Sequence, residues 1–357
     1  MTGDQRVEPG RLAKVICPEC GVVANREWFS AADVERLYGE AYELNTLGRE
    51  EHYFFTSNGP VARSLVFCDW IAPHIPATAR RVVEIGCGEG KLLGKLGRLL
   101  PQAHCQGIDG SRRAAELGRA AGLDIRQQLL LGAEPLETAD VFLLVNVLEH
   151  VEDIPALVAQ LARSLSPGGR IIFCLPVQDY GGYDMFFAEH VWHFTVDHVL
   201  HVLANNGLQV LDTDAAHPIN HGIGLFVCAL AEPSVAVTVP VNQGAMLRDH
   251  LRYWEESFSR ADAWLRDCRL ERLAVFGAGE VFTLFYAFTS LGEGRLVACI
   301  DDTKPDGAMK HGVPVHATAW LATHPVDALL LTVNTKYHPI IRDKVAPYGV
   351  PVYPLFT

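Results

Sequence analysis

The chain of 357 residues is 49% hydrophobic and 20% charged, a globular composition with material for about two domains. A net charge of −12 disfavours nucleic acid or an anionic membrane surface as the main partner, since both recruit through basic patches. Nine cysteines, an odd number set mostly in apolar runs, read as reduced thiols. With neither an apolar leader nor a membrane-length apolar run, they give the expectation of a cytoplasmic protein.

In chain order, residues 1–16 read as an irregular lead-in. Cys17-Pro-Glu-Cys20-Gly21 is a knuckle of the kind that holds two of zinc's four ligands. No second pair follows at a matching spacing, so no metal is assigned, and zinc stays an option for Cys17 and Cys20 alone. Ser30 to Tyr42 reads as a helix with Ser30 as its cap, and Pro60 to Ile71 as another, ended by Pro73.

Val82 to Ile85 has a strand's preference for branched side chains, although Glu84 interrupts it. Gly86, Gly88 and Gly90 then permit a tight turn and a close backbone approach to a ligand, and Leu92, Leu93 and Leu96 open a helix. A second strand ends at Asp109, about twenty residues past the turn, where a carboxylate can accept both hydroxyls of a ribose. Further strands are expected over 124–131, 140–147 and 170–175. Asp153 and Pro155 start a helix that Pro167-Gly-Gly169 stops. Strands alternating with helices at this rhythm argue for a parallel sheet covered on both faces.

Four elements occur in one order: Glu84-x-Gly86-x-Gly88-x-Gly90, Gly107-Ile-Asp109-x-Ser111, Asn146-Val-Leu-Glu-His150-Val, and Leu165-Ser-Pro-Gly-Gly169. Over about residues 80–180 they resemble class I S-adenosylmethionine-dependent methyltransferases. A dinucleotide-binding fold would carry Gly-x-Gly-x-x-Gly instead. The resemblance implies S-adenosylmethionine as cofactor, bound by Glu84, Gly86, Gly88, Gly90, Asp109 and Asn146. It treats His150 as a strand-to-helix junction without chemistry.

Residues 176–194 follow the fifth strand, where such sheets carry insertions over the substrate. Phe187-Ala-Glu189-His190-x-x-x-Phe194, then a helix capped by Thr195, then His221-Gly-x-Gly224 resemble C-methyltransferases of nucleotide-linked keto-deoxysugars. Those enzymes are similar also in an N-terminal cysteine module and a C-terminal nucleotide-binding-like domain. The resemblance implies His190 as the base that removes a proton beside the ketone, with Glu189 next to it. Donors for the enolate would be Tyr180, Tyr183, Asn220 and His221. Two positions depart from that family: Phe187 stands where a tyrosine is usual, and there is one cysteine pair instead of two.

Residues 246–265 have the spacing of a long amphipathic helix. Phe276-Gly277-Ala-Gly279-Glu280 then begins a second α/β unit. By the resemblance, this unit is expected to help hold the sugar nucleotide, with Gly277, Gly279 and Asn334 facing the interdomain cleft. The expected architecture is α/β: a small N-terminal module (1–75), a doubly wound, Rossmann-like methyltransferase domain (76–232), and a linker helix with a second Rossmann-like domain (233–357). The expected partner is a small-molecule nucleotide sugar, with neither nucleic acid nor membrane. O- or N-methylation of a sugar or other natural-product intermediate is the nearest alternative. A nicotinamide-dependent oxidoreductase and a non-catalytic nucleotide-binding protein are the others. The oligomeric state stays open.

Overall fold

The structure is a computed structural model that describes residues 12–27, 30–38, 51–56, 59–130, 135–180, 182–220, 222–231 and 242–356. It divides into two compact units, Arg11–His52 with Val61–Arg248, and Tyr53–Pro60 with Asp249–Thr357.

The first unit carries a hairpin, β1 (Lys14–Ile16) and β2 (Val23–Asn25), whose first strand falls at the end of the expected irregular lead-in; residues 1–11 of that lead-in lie outside the described residues. Helix α1 (Ala31–Arg36) starts at Ser30, whose hydroxyl accepts from Asp33 N–H in a capping box. Strands β3 (Tyr53–Thr56) and β4 (Gly59–Ala62), most of whose residues belong to the second unit, precede α2 (Arg63–Ile71) in the chain.

The strands and helices that follow are β5 (Arg81–Ile85), α3 (Lys91–Leu99), β6 (His104–Asp109), α4 (Arg112–Ala120), β7 (Asp124–Gln127), β8 (Ala139–Val145) and α5 (Ile154–Ser164). Then come β9 (Leu165–Pro176), β10 (Trp192–His193), α6 (Val196–Asn205), β11 (Leu208–Asp214) and β12 (Ile223–Leu230). Seven strands form one sheet in the order β11-β12-β9-β8-β5-β6-β7. Within it β12 alone runs against both neighbours.

The apolar run of β8 shows why a central strand needs no alternation. Phe142 and Leu144 enter the core on one face, and Val141 and Leu143 enter the core on the other. Asp153 caps α5 through Ala156 N–H, as expected. The Pro167-Gly-Gly169 turn lies inside the ladder of β9, where the register jumps from Ala139↔Leu165 to Val141↔Arg170.

In the second unit α7 (Gly244–Asp267), of which the last nineteen residues belong here, leads to β13 (Leu273–Phe276), α8 (Glu280–Phe288) and β14 (Leu296–Ile300). After β15 (Met309–Lys310), β16 (Val313–His316), β17 (Ala328–Leu331), α9 (His338–Val345) and β18 (Val352–Pro354), the sheet order is β15-β16-β14-β13-β17-β18. All but β15 are parallel. The α/β class and the two Rossmann-like sheets therefore match expectation, except that both sheets are mixed: β12 and β15 run against the expected parallel direction.

Candidate active site

The turn after β5 holds Gly86, Gly88 and Gly90 at φ of +68°, +56° and +77°, a region that L side chains avoid. A Cβ on Gly86 would lie 2.5 Å from a Val147 methyl. Gly88 N–H donates to Asp109 Oδ2 at 2.6 Å, and Ser111 N–H to Oδ1 at 2.8 Å. Beneath the turn Glu84 is buried, and its Oε2 has no hydrogen-bond partner. Burial, and then the nearby Asp109, push the Glu84 carboxyl up to about 8. Burial also raises Asp109, against the pull of its two backbone donors.

A buried and a half-buried carboxyl that both hold protons more tightly than usual are the complement of a cationic ligand. S-adenosylmethionine fits this donor set, with its ribose hydroxyls for Asp109 and its positive charge for Glu84. Asn146 stands at the end of β8 at φ +54°, held by its N–H to Cys174 C=O at 2.7 Å. Its Oδ1 accepts from the Arg63 guanidinium at 2.8 Å.

A second cluster is built on the chain that leaves β8 and β9. His190 Nδ1 is hydrogen bonded to Asp184 Oδ1. His193 Nδ1 meets the other oxygen, Oδ2, at 2.6 Å, and Gln178 donates to that same oxygen at 2.9 Å. One carboxylate charges one imidazole. Burial lowers His190, but the Asp184 charge and hydrogen bond outweigh it and bring it up to about 9. Burial wins at His193, which falls to about 4. Asp184, which burial would raise, is held far below the ordinary carboxylate range by the two histidines.

Phe187 stacks on His190 with ring centroids 4.8 Å apart, and His150 meets His190 edge-on at 4.6 Å. His150, expected to be a bare junction, therefore belongs to this cluster. Its Nδ1 lies 3.1 Å from Glu189 C=O and 2.9 Å from the Tyr38 hydroxyl, and burial drops it to about 3. Glu149, buried with neither carboxylate oxygen hydrogen bonded, is raised by burial to about 7. Glu149, His150 and His190 offer donor atoms within 4.8 Å of one another. A tetrahedral metal with bonds of about 2.1 Å would draw its ligand atoms to about 3.4 Å, so the group is spread more widely than a formed coordination sphere.

The remaining expected residues fall in several places. Glu189 is buried, and its charge supports His190 in the protonated form. Tyr183 lies 6.3 Å from Phe187, ring to ring. Asn220 is buried with no partner for its Nδ2, on the loop where Gly222 C=O accepts from Val177 N–H at 2.8 Å. The Tyr180 side chain and His221 lie outside the described residues. Asn334 belongs to the second unit, where its Oδ1 accepts from Lys336 N–H at 3.1 Å. His198 is a packing residue: its Nδ1 closes the Thr195 capping box, and its Nε2 lies 2.8 Å from Cys20 C=O.

Cys17 and Cys20 are free thiols in a turn closed by Gly21 N–H to Cys17 C=O at 3.0 Å. Backbone N–H groups, that of Cys20 first, pull the Cys17 thiol down. Among the described residues no third metal-ligating side chain joins them. Asp184, the partner of both histidines, was missed in the sequence. An acid inside an otherwise aromatic stretch, six residues before His190, was the available signal.

Residues 62–213 match the family described as "Methyltransferase domain". The chain is 33% identical over 114 residues to the ubiquinone biosynthesis O-methyltransferase of Ralstonia nicotianae, covering 29% of this chain and 47% of that protein. It is 35% identical over 162 residues to the enzyme of the same name from Mesorhizobium japonicum, covering 40% and 62%. The chain thus spans about half the length of the curated relatives it matches. Among solved structures, mitomycin 7-O-methyltransferase MmcR aligns at a TM-score of 0.41 and 15% identity, covering 46% of this chain and 54% of that one.

Proposed function

We propose that this chain, whose residues 62–213 match the family described as "Methyltransferase domain", is a class I S-adenosylmethionine-dependent enzyme that methylates a carbon beside the ketone of a nucleotide-linked deoxysugar with His190 as base. The observation that carries the reading is the buried Asp184–His190 pair on the segment that follows β9. S-adenosylmethionine, when bound, supplies an electrophilic methyl group on a sulfonium. The protein must then align the acceptor and remove a proton from it.

Asp184 fixes the His190 ring through Nδ1 and leaves Nε2 to take that proton. The electron pair of the broken C–H bond stays on the acceptor as an enolate, whose carbon would take the methyl group as the methyl–sulfur bond breaks and leaves a neutral thioether. Asn220 Nδ2, buried without an acceptor of its own, is suited to hold the enolate oxygen, with Tyr183 as a further donor. Glu189 strengthens the base through its charge. The resemblance of the Glu189-His190 segment to sugar C-methyltransferases supports the substrate class, as do the cysteine hairpin and the second α/β unit.

Two observations favour a second reading, methylation at oxygen. Phe187 lacks the hydroxyl usual at that place, and the curated relatives are named O-methyltransferases. That reaction needs the same base but no enolate donor.

His190→Ala and His190→Gln are expected to keep S-adenosylmethionine affinity in calorimetry. Turnover of nucleotide-linked keto-deoxysugars, followed by mass spectrometry, should fall by about 10²-fold or more. Full turnover in both variants would place the base elsewhere. Only neutral His190 accepts a proton, so kcat/KM should climb with pH and level off near pH 9, following the raised His190. Deuterium uptake beside the ketone without methyl transfer marks carbon chemistry, and its absence with a methylated product marks oxygen.

A further inference from the structure

Five consecutive carbonyls, from Phe187 to Val191, run through the segment that carries His190. This segment has almost no helix or strand bonding of its own, yet each of these carbonyls is matched to a donor from elsewhere in the chain. Lys14 Nζ donates to Phe187 C=O at 3.1 Å and to His190 C=O at 3.0 Å. Asn25 Nδ2 donates to Ala188 C=O at 2.9 Å, and Asn25 N–H to Val191 C=O at 2.9 Å. Glu189 C=O lies 3.1 Å from His150 Nδ1. Four of these five contacts thus come from the N-terminal hairpin. Strand β10 then pairs with β2, Trp192 opposite Ala24 and His193 opposite Val23.

A buried carbonyl left without a donor is costly, so the hairpin determines whether the irregular path of this segment is stable. Lys14 is specialised for the task. An ammonium has three hydrogens, and here they meet three acceptors, the third being Asn25 Oδ1 at 2.6 Å. Burial pulls the Lys14 pKa down to about 8, against the raising influence of Asp184 and Glu189.

We propose that Lys14 and Asn25 are positioning residues of the active site, holding the backbone on both sides of His190 so that its ring stays on Asp184. The hairpin is then part of the catalytic apparatus and more than an appended module. The proposal rests on His190 being the base, and its test is chosen to stand apart from that reading.

The groups facing His190 are Asp184 and Glu189 on its own segment, His193 on β10, Glu149 and His150 after β8, and Lys14 on β1. Loss of Lys14 acts on His190 in two opposed ways. Removing a nearby cation raises the His190 pKa, whereas releasing the ring from Asp184 lowers it toward the ordinary 6.5.

The experiment is a pH titration of the His190 ring by NMR in the full chain labelled at histidine, with S-adenosylhomocysteine as probe ligand and His190→Asn for assignment. In Lys14→Met, positioning predicts a fall of about one pH unit or more. Lys14→Arg should stay near the native value, and Asn25→Leu should fall in the same direction. Affinity for S-adenosylhomocysteine should hold within about threefold in each, because none of these residues lies at the glycine turn or Asp109. An unchanged or raised His190 pKa in both Lys14→Met and Asn25→Leu would overturn the proposal. So would a collapse of ligand affinity in both, since that marks a purely structural role. If His190→Ala retains turnover while Lys14→Met still lowers the titration, the base reading fails and the positioning stands.

Discussion

The chain builds one strand–turn–strand arrangement twice, with two different outcomes. In the first unit Gly86 N–H reaches Ile108 C=O at 2.7 Å, and Gly88 and Ser111 donate to Asp109. In the second, Gly277 N–H reaches Ile300 C=O at 2.9 Å, while Ala278 and Thr303 N–H groups donate to Asp301, each at 3.0 Å. The backbones are near copies. The acids are not equivalent, because Asp301 also takes the Thr303 hydroxyl at 2.6 Å, while β13 reads Leu-Ala-Val-Phe and brings no counterpart of Glu84. The second turn satisfies its own carboxylate. The first pairs the buried Glu84 with Asp109, and both carboxyls are raised; that difference, not the glycines alone, supports the proposal of a cationic ligand at the first turn.

The contrast can be broken most severely at the acids. Asp109→Ala should weaken S-adenosylmethionine binding by about 10²-fold, the scale of losing charge-assisted hydrogen bonds. Asp301→Ala should leave that affinity unchanged in calorimetry and lower the melting temperature instead. Equal losses of affinity in both variants would mean that the two turns do not differ as argued.

Next come the glycines. Gly86→Ala combines a positive φ with a Cβ pressed on Val147 and should cost about 1–3 kcal/mol in denaturant unfolding. At Gly279, φ is −95° and an added Cβ meets nothing within 4 Å, so Gly279→Ala should stay within about 0.5 kcal/mol of the native protein.

The smallest expected effect is at Glu84. Glu84, raised to about 8, is mainly protonated at pH 7, and a bound cation lowers its pKa, so binding should release most of one proton. Calorimetry in buffers of different ionisation enthalpy measures this release, which Glu84→Gln should abolish. Without ligand, the raised Glu84 favours the folded state below its ordinary pKa of about 4.3. That contribution fades as pH climbs through 8.

Much of this was legible in the sequence because its signals are local. The glycine turn, Asp109, the caps at Ser30, Asp153 and Thr195, and the apolar run of β8 each act within a few residues. The sheet that locks the histidine segment was not legible. Its third strand is two residues long and has no periodicity to detect, and its partner β2 lies far away in the chain. Asp184 escaped for a related reason, since what distinguishes it is two imidazoles brought together by folding. His150 follows a common junction pattern, and only the arrival of His190 against it reveals a shared pocket.

The contacts of Lys14 with Phe187 and His190 span 173 and 176 residues of chain. Closing a loop of that length in an unfolded chain costs about 4–5 kcal/mol of chain entropy. Once the seven-stranded sheet has formed, much of that closure is already in place. The hairpin is thus expected to dock late, onto a sheet that can already offer its glycine turn to a ligand. Competence to bind would precede competence to react during folding.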